Sequence, residues 1–152
     1  MIRVATIDDV PTILHFITEL ARYEKLEHEM IATEADLRAS LFAKAPQAEV
    51  ILSFENENLP VGFALFFPNY STFLGKAGIH LEDLFVLPEY RGRGHGKGLL
   101  AHLRRIAHQR GAGRLEWNVL DWNTPAIEFY LSIGAKPVSG WTTFRLLGED
   151  LV

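Results

Sequence analysis

The chain contains no cysteine among its 152 residues. This absence excludes disulfide bonds, cysteine-ligated zinc sites and a cysteine nucleophile, so any thiol chemistry must arrive with a ligand. The six histidines show none of the spacings that are typical of metal sites, and we expect no bound metal.

The sequence also lacks any run of about 18 apolar residues, and Arg3, Asp8 and Asp9 interrupt its start. We therefore expect neither a membrane span nor a signal peptide, and we expect a protein of the cytoplasm. Hydrophobic residues make up 48% of the chain, which is enough for one core without metals or disulfides. Since there is no repeat, low-complexity tract or long linker, the prediction is a single domain over residues 1–152.

Acidic residues are missing from residues 91–114, which carry seven bases. Residues 1–86 hold 13 acids and 6 bases, whereas residues 87–152 hold 6 acids and 9 bases, which gives net charges of −7 and +3. The overall charge of −4 argues against a nucleic-acid partner. The basic block suggests an anion near its start, and the acidic half is free to attract a cation.

Hydrophobic periodicity predicts a mixed α/β fold. Helices are predicted from the capping pattern of Thr6 and Asp9 to "YEKLE", from Thr33 to about Phe42, after the glycine-rich loop, and in "NTPAIEFYLSIG". Strands are predicted in "RVA", "EVILSFE", "VGFALFF", "GIHLEDLFVL", "RLEWNVL" and "WTTFRLL", with a hairpin through "NENLP".

The stretch "YRGRGHGKG", residues 90–98, places four glycines on alternate positions directly before a helix. Its spacing fits neither a Walker A loop nor a dinucleotide fingerprint. A strand, a turn and outward-pointing amides at a helix start still form an anion nest, and a diphosphate would fit there. The alternative is a flexible glycine-rich turn without a ligand.

The segment "RGRGHG" fits the R/Q-x-x-G-x-G/A signature and resembles the GCN5-related N-acetyltransferases (GNAT), which bind acetyl-CoA on this loop. Together, "HLEDLFVLPEYRGRGHG", "VLDWNTPAIEFY" and "ARYEKLE" resemble the diamine acetyltransferase branch, with its spermidine/spermine and thialysine enzymes. The resemblance implies an α/β GNAT fold: a mixed, mostly antiparallel twisted sheet of about 6–7 strands flanked by about four helices. It also implies acetyl-CoA as cosubstrate, no metal, and a homodimer.

The same resemblance assigns the acetyl-CoA site. It implies that main-chain groups of one strand bind the pantetheine arm and that the glycine-rich loop binds the diphosphate. The implied residues are Leu84, Phe85 and Val86 on the strand, Arg91, Gly92, Arg93, Gly94, His95, Gly96 and Lys97 in the loop, and Asn123, which can also cap a helix.

Acetyl transfer requires the acceptor amine to lose a proton. An alkyl ammonium of pKa about 10.4 loses it at pH 7 at a cost of roughly 4.6 kcal/mol, so a base or a water relay would help. The resemblance favours Glu82 as this base, acting through water, while the neighbouring Asp83 points to the other side of the strand. The alternative for Glu82 is an ordinary solvent-facing strand carboxylate.

The leaving thiolate of CoA needs a hydrogen-bond donor, and the resemblance places a tyrosine general acid at Tyr130. A phenol is less acidic than such a thiol by about 1.5 pKa units, so hydrogen-bond donation to sulfur is the more modest interpretation. Without the resemblance, Tyr130 would be assigned to core packing on a short helix.

The acceptor site is the least specific part of the sequence. The resemblance places Tyr23, Glu24 and Glu27 beside the amine, with Glu82 and Asp83, and carboxylates would attract a cationic diamine. An exposed, charged helix end is the alternative. The segment "PVSGW" has no acid where the polyamine enzymes carry acidic residues, which favours a short diamine or a lysine-like amine over a long polyamine.

These observations predict an acetyl-CoA-dependent N-acetyltransferase that acts on a small primary amine by direct attack in a ternary complex. Two alternatives stay open at this point: a peptide or protein amine acetyltransferase, and a CoA-binding sensor without catalysis.

Overall fold

The computed structural model describes residues 1–151. Residues Met1–Asn118 form one compact unit, and a second unit begins at Val119. The single domain inferred from the sequence stays a prediction.

The first helix, α1 (Val10–Tyr23), follows a short 3-10 turn at Ile7–Asp9. The Asp9 carboxylate accepts a 2.7 Å hydrogen bond from the Thr6 main-chain N–H, as the predicted capping pattern requires. Helix α2 (Glu34–Leu41) begins with the second predicted capping box, in which the Asp36 carboxylate accepts from the Thr33 N–H at 2.8 Å. Both predicted helices are therefore confirmed.

Five strands form one sheet in the order β1-β2-β3-β4-β5. The pairs β1–β2, β2–β3 and β3–β4 are antiparallel, whereas β4 and β5 run parallel. The predicted mixed, mostly antiparallel sheet is therefore confirmed. The strands are β1 (Ile2–Val4), β2 (Glu49–Asn56), β3 (Leu59–Ser71), β4 (Lys76–Val86) and β5 (Leu115–Trp117).

The sheet separates two apolar layers because alternate residues of a strand point to opposite faces. On one face, Leu52 and Phe63 are fully buried in a core with α1, where the rings of Phe16 and Phe63 stack with centroids 5.6 Å apart. Helix α3 (His95–Gln109) lies against the other side of β2, β3 and β4, and its Leu99 and Leu103 are fully buried.

The strand count is lower than the predicted 6–7, because residues 141–147, the "WTTFRLL" segment, form no strand in the described part of the chain. Strand β5 is also shorter than the predicted "RLEWNVL". Apolar and polar alternation indicates that a segment suits a strand, but a strand also needs a hydrogen-bonding neighbour, which alternation does not supply.

The second unit contains the predicted short helix, α4 (Thr124–Ser132), with Asn123 as its N-cap. With α1, α2 and α3 it makes the four expected α-helices of residues 1–151. None of the helices in this described range combines the length and apolar composition needed to cross a bilayer.

Candidate active site

A β-bulge interrupts β4 in the middle of the predicted site. Across the β3–β4 ladder, Leu65 pairs with Asp83 but the next residue, Phe66, pairs with Leu81. Glu82 is therefore the extra residue, without a partner in the register. Bulges bend a strand and re-aim its side chains, and they are common beside active sites.

The second special feature of β4 is its separation from β5. Only Ile79, His80 and Leu81 of β4 pair with β5. Among the described residues, Glu82–Val86 has β3 on one side and no ladder partner on the other. This part of β4 includes Leu84, Phe85 and Val86, and it leaves room for an extended ligand arm alongside the main chain.

The glycine-rich loop connects this strand to α3. Gly92 and Gly94 have φ values of +76° and +91°, which side-chain-bearing residues rarely adopt, and a Cβ atom at either would meet nothing within 4 Å. Gly94 is the N-cap of α3, so the first amides of the helix lie directly after it. The loop therefore offers positively polarised main-chain groups and open space, as a diphosphate requires.

Several side chains of the loop have partners within the protein, and their predicted role in binding the anion stays a prediction. The Arg91 guanidinium lies 4.8 Å from the Tyr23 ring centroid, and its Nε donates to the Val86 carbonyl at 2.8 Å. Arg93 Nη1 donates to Glu55 at 2.7 Å, and both ring nitrogens of His95 are hydrogen-bonded within the protein. Lys97 is exposed at the start of α3.

Three of the predicted acceptor carboxylates, Glu24, Glu82 and Asp83, lie close enough for their charges to interact. Burial raises the pKa of Asp83 to about 7, and the charges of Glu82 and Glu24 act in the same direction. Burial also raises the pKa of Glu24, which directly follows α1. Glu82 is exposed, and its Oε2 lies 3.5 Å from His80 Nε2. A cationic amine would relieve the repulsion among these acids.

The other two predicted acceptor residues, Tyr23 and Glu27, lie at the end of α1 and in the turn that follows it. Tyr23 is the last residue of α1, and the Arg91 guanidinium stacks over its ring in a cation–π contact. This contact connects α1 to the glycine-rich loop. Glu27 lies exposed in a 3-10 turn at Glu27–Glu29. Among the predicted acceptor acids, Glu24 and Asp83 are partly buried, whereas Glu27 and Glu82 are exposed.

The second unit carries two predicted residues on one helix. The Asn123 side chain is buried and its Oδ1 accepts from the Ala126 N–H at 3.4 Å, so the predicted cap is present. Tyr130 lies near the end of α4, with its ring centroid 5.6 Å from that of Phe129.

Two residues that sequence reasoning missed, Ser53 and Glu55, contact the glycine-rich loop from β2. Their partner His95 is about forty positions away along the chain, and no local pattern connects them. In residues 1–151 no three His, Asp or Glu side chains are grouped as a metal ion would require.

Comparison with known proteins shows one family. The profile of the acetyltransferase (GNAT) family matches residues 12–135. Thialysine N-epsilon-acetyltransferase of Bos taurus is 38% identical over 161 residues, covering 99% of this chain and 94% of that protein. L-ornithine N5-acetyltransferase of Arabidopsis thaliana is 34% identical, covering 99% of this chain and 85% of that protein.

The fold also matches solved structures. An integron cassette protein from the mobile metagenome of V. cholerae superimposes with a TM-score of 0.79 at 29% identity. The match covers 99% of this chain and 94% of that one.

Proposed function

Because the chain belongs to the acetyltransferase (GNAT) family, we propose that it moves the acetyl group of acetyl-CoA to a primary amine of a small acceptor. It is an N-acetyltransferase, as the similarity to thialysine and ornithine enzymes indicates. The acceptor class is a diamine, a polyamine or a lysine-like amine of the thialysine type. One observation carries this proposal: a single strand, β4, joins an open anion-binding loop to a cluster of carboxylates.

The residues of the first unit fit acetyl-CoA. The loop at Gly92 and Gly94 has the open space and positive φ values that close approach of a diphosphate needs. The main chain of Leu84–Val86 has no neighbouring strand on the β5 side in the described residues, and it suits the extended pantetheine arm. The Val86 carbonyl already accepts a hydrogen bond from Arg91 Nε, so Leu84 and Phe85 are left to make these contacts. Bound there, acetyl-CoA supplies an acyl group attached to a thiol that leaves readily.

The carboxylates near β4 would recognise the acceptor as a cation. Glu24 and Asp83 are partly buried and repel one another when both are ionised. An ammonium between them would favour the ionised forms of both carboxylates. Its attraction to the two carboxylates would offset part of the free energy that its removal from water costs. This arrangement favours a protonated amine over a neutral molecule of the same shape.

Asp83 also suits the proton transfer that precedes attack. A general base works best when its pKa lies near the working pH, and Asp83 has a pKa of about 7. We propose that the ammonium proton passes to Asp83 and leaves through water at Glu82, which is exposed. The relay inferred for Glu82 from the sequence is kept, and Asp83 takes the proton first.

The chemical step is then a direct attack. The amine nitrogen forms a bond to the thioester carbon while the carbon–sulfur bond breaks, and sulfur leaves with the electron pair. Tyr130 on α4 donates a hydrogen bond to that sulfur, which is the role proposed for it from the sequence. Neither step requires a covalent acetyl-enzyme.

The acceptor is proposed to be short. The lack of an acid in "PVSGW" and the thialysine and ornithine relatives support a lysine-like or ornithine-like amine. A homodimer in the cytoplasm stays part of the proposal, as the family resemblance of the sequence implies. Light scattering coupled to size-exclusion chromatography would test the dimer.

The proposal is tested by measuring release of CoA thiol from acetyl-CoA with a panel of amines. The panel contains thialysine, lysine, ornithine, putrescine, diaminopropane, spermidine and spermine, together with a peptide and a control without amine. Release with the short amines is expected. Release with the peptide alone would transfer the function to protein acetylation, and CoA binding without release would leave a sensor.

A further inference from the structure

Strand β2 holds the glycine-rich loop through a single carboxylate. Glu55 Oε2 accepts a hydrogen bond from His95 Nε2 at 2.8 Å, and Glu55 Oε1 accepts one from Arg93 Nη1 at 2.7 Å. The other ring nitrogen of His95, Nδ1, lies 2.9 Å from the Ser53 hydroxyl. Glu55 therefore binds the side chains of the two residues that flank Gly94, which are Arg93 and His95. The imidazole ring of His95 is held from both sides, by Glu55 and by Ser53.

The burial of this group indicates a built contact. Ser53 is 1% exposed and the His95 side chain 11% exposed, while the Glu55 and Arg93 side chains are 31% and 53% exposed. Hydrogen bonds from His95 and then Arg93 hold the pKa of Glu55 below its usual range, so Glu55 is an ionised acceptor at neutral pH. His95 has both nitrogens occupied and presents no free ring nitrogen to a ligand.

The glycines of the loop explain why hydrogen bonds to β2 would matter for binding. Gly92 and Gly94 have positive φ values, and a Cβ atom added at either would meet nothing within 4 Å, so no side-chain packing restricts these two residues. A glycine has more main-chain conformations open to it than any other residue. Binding an anion would have to order them, and that entropy cost weakens affinity. Side chains at positions 93 and 95 that are fixed to a strand remove part of this cost before the ligand arrives.

We propose that Glu55 is a positioning residue for the diphosphate loop, holding the main chain of Arg93–His95 in the conformation that binds acetyl-CoA. This inference rests on the proposed function and adds residues of β2 to its machinery. Glu55 itself carries a negative charge beside an anion site. If Glu55 acted on the ligand mainly by charge repulsion, removing its charge would tighten CoA binding. If Glu55 positions the loop, the same change would weaken CoA binding, so the two interpretations predict opposite changes in Kd.

The same strand and helix provide a matched control. At the other end of α3, Arg110 donates two hydrogen bonds to the Glu49 carboxylate, at 2.7 and 2.8 Å. Glu49 and Glu55 both lie on β2, and each pairs with an arginine of the α3 region. The Glu49 pair is about one helix length, roughly 20 Å, from the loop.

The test compares Glu55→Gln with Glu49→Gln. Glutamine keeps the shape but loses the charge and one of the two acceptor oxygens. We expect Glu55→Gln to raise the calorimetric Kd for CoA about tenfold and the KM for acetyl-CoA similarly, with kcat and the amine KM unchanged. Glu49→Gln should stay within about twofold of wild type. Unchanged or tighter CoA binding in Glu55→Gln would overturn the proposal.

A second measurement needs neither turnover nor ligand. In the ligand-free protein, amide hydrogen exchange at Gly92–Gly96 should be faster in Glu55→Gln than in wild type, and unchanged in Glu49→Gln. Equal exchange in both variants would also overturn the proposal. Wild-type protein that binds CoA but releases no thiol would contradict the proposed function alone, because the affinity and exchange comparisons would still decide the role of Glu55. Wild-type protein that binds no CoA would contradict both.

Discussion

At the scale of single residues, the ionisation of Asp83 links stability to chemistry. Folding places this carboxyl on a bulged strand beside Glu82 and Glu24, and its pKa rises to about 7. Its charged form is therefore less favourable in the folded chain than in the unfolded one. The group suits proton transfer at neutral pH because it is poorly accommodated as an anion.

The substitution Asp83→Asn should stabilise the protein at alkaline pH and slow catalysis. The pKa of Asp83 is higher in the folded protein than in the unfolded chain. Its contribution to the free energy of unfolding of the wild type is therefore fully present below pH about 4 and is lost as the pH rises to about 7. The advantage of the variant should grow by roughly 1–2 kcal/mol between about pH 4.5 and about pH 8, less than the full shift because the group is partly solvated.

Urea unfolding of both proteins at the two pH values measures this effect, and kcat/KM measures the accompanying loss of activity. A stability difference that is the same at both pH values would show that Asp83 titrates normally. Undiminished kcat/KM in the variant would remove Asp83 from the proton path.

Tyr130 has a different kind of prediction, because only its hydroxyl is proposed to act. Tyr130→Phe keeps the ring on α4 and should lower kcat by about 10- to 100-fold with little change in CoA affinity. Steady-state kinetics with a saturating amine, together with calorimetric CoA binding, separates the two effects. Wild-type turnover in this variant would exclude Tyr130 from the mechanism.

At the scale of elements, the site depends on how strand β4 ends and helix α3 begins. The bulge at Glu82 and the short pairing with β5 expose the main chain of β4, and Gly94 ends the loop at the helix N-terminus. The four glycines of the loop have distinct roles. Gly92 and Gly94 supply left-handed conformations, whereas a Cβ atom at Gly98 would lie 3.3 Å from Ile2 Cδ1.

Replacing a left-handed glycine tests the loop against a matched turn. Gly94 and Gly75, in the β3–β4 turn, both have positive φ and nothing within 4 Å of an added Cβ atom. Gly94→Ala and Gly75→Ala should each destabilise the fold by about 1–2 kcal/mol. Only Gly94→Ala should weaken CoA binding, by at least several-fold. Thermal unfolding and calorimetry measure both quantities, and equal CoA affinities in the two variants would contradict the anion nest.

At the scale of the whole molecule, charge is divided along the chain. The net charge of residues 1–86 is −7 and that of residues 87–152 is +3. The division matches the two proposed ligands, since the glycine-rich loop lies in the basic part and Glu24, Glu82 and Asp83 lie in the acidic part. Each substrate would thus be attracted by a different part of the sequence.

Salt should therefore weaken the binding of acetyl-CoA. Raising the ionic strength from about 0.05 M to about 0.5 M shortens the screening length severalfold and should raise the KM for acetyl-CoA several-fold. Acetyl-pantetheine, which lacks phosphates, is the control and should change less at the same amine concentration. Equal salt dependence of the two donors would show that the basic residues do not contribute to donor binding.

Sequence reasoning located the elements well and the contacts between them poorly. Capping at Thr6 and Thr33 and the apolar stripe of α3 are local patterns, so their helices were predictable. The contacts of Glu55 were not predictable, because its hydrogen-bond partners are 38 and 40 positions away along the chain. The strand expected at residues 141–147 failed because alternation specifies a face and not a neighbour.

The sequence by itself determined the family, the α/β class, the glycine-rich loop and the list of acids and bases that could serve it. Those features depend on local order and composition, which a chain carries before it folds. The tertiary structure alone decided that Glu82 is the bulged residue, that Asp83 is the poorly solvated acid, and that Arg91, Arg93 and His95 are held by protein partners. Burial, register and pairing between distant segments arise only when strands and helices pack, since each depends on which surfaces meet.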